Sequence, residues 1–144
     1  VNRLSIKGIV IGNITDMGLT FVLMTAVGIG AVLIQGPSAL TGGSTGASDA
    51  VADGPLGIVL LVAGCVASIL GGYVAGRVAG HDELLNGALS AILCVSIGLA
   101  TLLAQHQLPG VRDVLTEMAS PCLGLFGGYL RIVQKNAALK PRAA

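Results

Sequence analysis

The sequence predicts an all-α protein built as a transmembrane bundle of four helices, and three observations carry that reading. Hydrophobic residues make up 53% of the 144 residues and charged residues only 10%, against a usual charged share of about 25% in soluble domains. The apolar residues fall into four segments, each long enough to cross a hydrocarbon core of roughly 30 Å. The 22 glycines lie inside those segments as well as between them, which lipid tolerates because the bilayer offers the backbone no competing hydrogen-bond partner. A soluble core of this size would also lack aromatic filling, with no Trp, two Tyr and two Phe.

The first span is expected over about residues 4–34. It exceeds the crossing length and so tilts or projects from the bilayer. Its apolar stretch after Lys7 is too long for the h-region of a cleavable signal peptide. Residues 36–55, rich in Gly, Ser, Ala and Asp, read as a flexible external loop, since they cannot bury enough apolar surface to order themselves.

The second span, about 56–78, contains a run in which two small residues alternate with two larger ones: Ala63-Gly64-Cys65-Val66, Ala67-Ser68-Ile69-Leu70, Gly71-Gly72-Tyr73-Val74 and Ala75-Gly76-Arg77-Val78, closing on Ala79-Gly80. Residues four apart stack on one helix face. Gly64, Ser68, Gly72, Gly76 and Gly80 therefore form a ridge almost free of side chains, of the kind that lets helices approach closely in lipid. A tight link leads to the third span, about 84–104, with Gly87 and Ala91 and also Ser90, Cys94 and Gly98 at the same spacing. The Pro109-Gly110 pair precedes the fourth span, about 111–133, whose ridge is Ser120, Gly124 and Gly128. Gly8 and Gly12 give span one a short ridge of its own. Residues 134–144 form a basic tail, and the whole chain, 1–144, reads as one membrane domain.

Orientation follows from the positive charges. Arg3, Lys7, Arg77, Arg131, Lys135, Lys140 and Arg142 share one side if the spans alternate, leaving Arg112 on the other with Asp49, Asp53 and Asp113. Both termini are thus expected in the cytoplasm, with the tail near anionic headgroups. Leu70-Gly71-Gly72-Tyr73 in span two is echoed by Phe126-Gly127-Gly128-Tyr129 in span four, and Leu4-Ser5-Ile6-Lys7-Gly8 by Glu83-Leu84-Leu85-Asn86-Gly87. Two same-oriented helical hairpins would give this echo, and so would chance in such biased segments.

Few residues offer chemistry. Asp16 lies about 13 Å along the helix from Lys7, near mid-bilayer, with Asn13 and Thr20 on its own face. An acid there costs about 2.5–3.5 kcal/mol on insertion scales, so it needs a partner or a purpose. It is either a proton or cation site facing the bundle interior, or a hydrogen-bonded acid that joins helices. No intramembrane Lys, Arg or His is available to pair with it, which favours the second.

Glu117 stands one turn before Pro121, which frees the carbonyl of Glu117 and bends the helix. It either lines a water-filled vestibule as an outer acid to a candidate ion or proton site at Asp16 and Asn13, or simply stays hydrated near the interface. The two acids sit at different depths, so no paired-carboxylate site is expected. Cys65, Cys94 and Cys122 share the depth of Asp16, one on each remaining span. They read as small apolar packing residues, because no CxxC or HExxH motif accompanies them. His81-Asp82-Glu83 reads as the start of span three, where acids suit a helix N-terminus. With no nucleophile elbow, P-loop or dinucleotide fingerprint, no enzyme, cofactor or metal site is expected. A net charge of +1 without a basic cluster argues against nucleic acid.

The run Gly71-Gly72-Tyr73-Val74-Ala75-Gly76-Arg77-Val78-Ala79-Gly80, followed by His81-Asp82-Glu83-Leu84-Leu85-Asn86-Gly87-Ala88, resembles the second-to-third helix junction of small uncharacterised bacterial four-helix inner-membrane proteins. The resemblance covers under a fifth of the chain. It implies a bacterial inner-membrane location and brings no activity with it. The expected function is a structural or accessory membrane subunit, homo-oligomeric or part of a larger complex. The alternative is a small transporter or ion- or proton-conducting protein using Asp16.

Overall fold

The computed structural model describes residues 4–36, 55–104 and 111–139. The expected external loop (its residues 37–54), Pro109-Gly110, His106 and the tail beyond residue 139 fall outside these residues. Four helices follow in order: α1 (Ile6–Gln35), α2 (Pro55–Ala79), α3 (Glu83–Ala104) and α4 (Val111–Leu139). Ser5 caps α1 from an extended conformation, its side chain accepting from Gly8 N–H at 3.1 Å. Gly80, with φ +71°, closes α2 by donating its N–H to Gly76 O at 3.1 Å, the left-handed cap that glycine adopts without Cβ strain.

Among the described residues, three helices are long and apolar enough to cross a membrane: Ile6–Gly30, Gly57–Ala79 and Glu83–Ala104. The expectation of four spans is met to that extent. α4 departs because its apolar stretch is interrupted by Glu117, Ser120, Pro121, Tyr129 and Arg131. It also runs past the expected end of its span, carrying 134–139, the first part of the basic tail, as helix. Side-chain bonds from Tyr73 to Gln134 and from Lys135 to Glu83 tie that extra turn to α2 and α3.

α2 and α3 are the inner pair, each packed on all the other helices, while α1 and α4 flank them and scarcely meet. The seams are made of backbone. A Cβ on Gly72 would collide with the Gly124 main chain, and one on Gly127 with Ile69 O and Tyr73 N. Gly87 lies against Gly124 O, Gly8 against Ala75 O at 2.8 Å, and Gly12 against Gly71 O at 2.7 Å, measured from an ideal Cβ.

The buried apolar residues are correspondingly small: Ala67, Ala75 and Ala91. The large ones point outward, Phe21, Ile6, Ile14, Ile58 and Leu115 among them. Water would penalise that arrangement at about 25 cal/mol per Å² of apolar surface, whereas lipid does not. Together with the three apolar helices, this is the coarse signature of a membrane protein.

The close contacts occupy one half of the bundle. They lie toward the end where α1 and α3 begin and α2 and α4 finish, which carries Lys7, Arg77, Arg131 and Lys135. Toward the other end, a Cβ on Gly18, Gly28, Gly30 or Gly64 would meet nothing within 4 Å among the described residues.

Candidate functional site

Asp16 sits where the four helices converge. The Cβ position of Gly71 on α2 is 2.8 Å from Asp16 Cβ, so the acid's own stem is pressed onto the glycine ridge. Only 3% of the residue is exposed. Ser68, one turn before Gly72 on α2, donates its hydroxyl to Asp16 Oδ2 at 3.2 Å and lies 3.5 Å from Oδ1. The same hydroxyl is 3.3 Å from Ser120 Oγ on α4, and Cys94 on α3 lies beside Asp16. Each of the other three helices thus supplies one small polar group to a cluster centred on the acid.

The polar groups continue along α3. Asn13, one turn before Asp16, donates from Nδ2 to Ser90 O at 3.4 Å. Below it Asn86, with no exposed surface, receives Ser5 N–H on Oδ1 at 2.8 Å and donates to His81 O at 3.0 Å and Asp82 O at 3.1 Å. Asn86, Ser90, Cys94 and Gly98 are spaced four apart and so form one polar and small face of α3. Glu117 comes over the far end of that face, its Oε1 3.6 Å from the Cβ position of Gly98.

Asp16, Asn13, Ser68 and Glu117 are therefore part of one file of polar groups. Asn86 and Ser90, its most buried members, lay unmarked in sequence as site residues. The signal for Asn86 was an amide one residue before a seam glycine, Gly87, inside an apolar helix. Cys94 joins the cluster, Cys65 is half-buried and Cys122 is exposed. Among the described residues no group of three or more His, Cys, Asp or Glu side chains is arranged to hold a metal ion.

Of the expected packing residues, Gly72, Gly76, Gly124 and Gly128 stand at interhelical contacts, Gly76 and Gly128 both against Glu83. Gly64 and Gly80 do not. Gly64 lies beyond the point where the helices diverge, and Gly80 has left the helix to cap it. The α2–α3 corner is held by charge as well, through Lys135 Nζ to Glu83 Oε1 at 2.9 Å. No protein-family model, no curated protein and no solved structure matches the chain.

Proposed function

We propose that this chain is a structural or accessory subunit of the bacterial inner membrane, spanning it with all four helices and holding both termini in the cytoplasm. The observation that carries the reading is the setting of Asp16. An acid opening onto a wide hydrated cavity would speak for transport; this one is pressed against Gly71 and bonded to Ser68 of α2. Interhelical hydrogen bonds of this kind contribute about 0.6–2 kcal/mol each in a membrane, enough to fix which faces of glycine-lined helices meet. The four-span reading is supported by the packing of α4 on α2 and α3, with side-chain bonds from Ser120 to Ser68 and from Lys135 to Glu83. Cytoplasmic termini are supported by the basic residues gathered at one end.

Extraction in a gentle detergent, with affinity capture and mass determination, tests the role. A particle heavier than one 14.3 kDa chain, holding a fixed partner or a second copy, is the expected result. A lone chain that captures nothing contradicts it. A second reading, proton conduction, is favoured by one observation: the file from Glu117 past Cys94 and Ser120 to Ser68 and Asp16. Two amides, Asn13 and Asn86, occupy its cytoplasmic half, and amides do not relay protons as hydroxyls and carboxyls do.

A further inference from the structure

We propose that the seam between α2 and α4, at its basic end, binds the phosphate of an anionic lipid headgroup. Gln134 on α4 assembles the site. Its Oε1 accepts from Tyr73 OH across the seam at 2.6 Å and from Arg131 Nη1 at 2.7 Å. The backbones can close up here because Gly127 lies against Ile69 O and Tyr73 N, so Tyr73, Arg131 and Gln134 gather at the seam. Arg77 rises from the same face of α2 as Tyr73, four residues on.

The positive charge at this seam is compensated only in part, by Glu83, which lies within electrostatic reach of Arg131. Lys135 is neutralised by Glu83, but Arg77 is exposed and has no hydrogen-bond or ion-pair partner among the described residues. Arg131 Nε is buried without an acceptor, although an unmet donor of this kind costs free energy. Guanidinium groups match phosphate oxygens with paired N–H donors, and basic pockets between membrane helices at this level suit anionic headgroups. Arg77 falls at the end of the apolar segment Gly57–Ala79, where headgroups begin.

A lipid is favoured over a soluble anion by what lies one turn deeper. Leu70, three residues before Tyr73, and Leu130, four before Gln134, are both exposed and offer acyl chains an apolar track below the phosphate. The proposal rests on the membrane-spanning reading alone and is independent of the accessory role.

Native mass spectrometry of the purified full chain, titrated with dioleoylphosphatidylglycerol or dioleoylphosphatidylcholine, tests it. The anionic lipid should bind in preference, and R77Q and R131Q should each weaken it about tenfold, the loss of one charge-assisted hydrogen bond. K7Q, at the same end but on α1, should leave binding unchanged. R77Q alters an exposed side chain and keeps the test valid if R131Q fails to fold. Equal binding of the two lipids, an equal drop with K7Q, or displacement of the lipid by millimolar inorganic phosphate would each overturn the proposal.

Discussion

Asn86 shows most plainly how a single side chain sets the architecture. Its amide joins separate segments: it accepts from Ser5 N–H at the cap of α1 and donates to the carbonyls of His81 and Asp82 in the α2–α3 turn. That turn holds a non-glycine residue at positive φ, Asp82 at +42°, which L-residues adopt at a cost of roughly 1 kcal/mol. Asn86→Ala should therefore destabilise the protein by about 2–3 kcal/mol, the cost of leaving buried polar groups unmet, read as a lower midpoint of thermal unfolding in detergent. An unchanged midpoint would mean that the turn holds itself.

The sequence marked Asn86 only as an amide beside the seam glycine Gly87, because its partners are backbone groups that come near only after folding. Asp16 was legible, since an acid at mid-span is expensive in any context. Its partners on three other helices were not.

At the scale of the helix, the small-residue spacing was informative about which elements touch and less so about how far along them. α2 presents Ser68, Gly72 and Gly76 to its neighbours, yet Gly64 on the same ridge faces nothing within 4 Å among the described residues. A four-residue period fixes a face but carries no mark of where two helices cross and part. The contrast predicts opposite results for the same chemical change. Gly64→Ala should be neutral or stabilising by up to about 1 kcal/mol, the gain in helix propensity. Gly72→Ala puts a methyl into the Gly124 main chain and should cost about 1–3 kcal/mol, as overpacking does. Equal effects in an unfolding assay would disprove the assignment of the seam. α4, which the sequence reads as a fourth span, is a helix less apolar than the other three, because its polar residues serve contacts to Ser68, Glu83 and Tyr73.

For the whole molecule, the arrangement is a backbone-lined core with large side chains outside, and that much follows from composition. Few aromatics, abundant glycine and little charge leave no other economical way to pack. Composition says less about purpose, since the same small residues serve a rigid scaffold or a helix bundle that moves. The central claim is that Asp16 joins helices rather than passing ions. Proton flux into proteoliposomes under an imposed potential, followed by an internal pH dye, tests it most directly when wild type and Asp16→Asn are compared with empty vesicles. The account predicts that neither protein raises the flux above the empty-vesicle rate. Flux well above that rate in wild type, abolished in a stably folded Asp16→Asn variant, would contradict it.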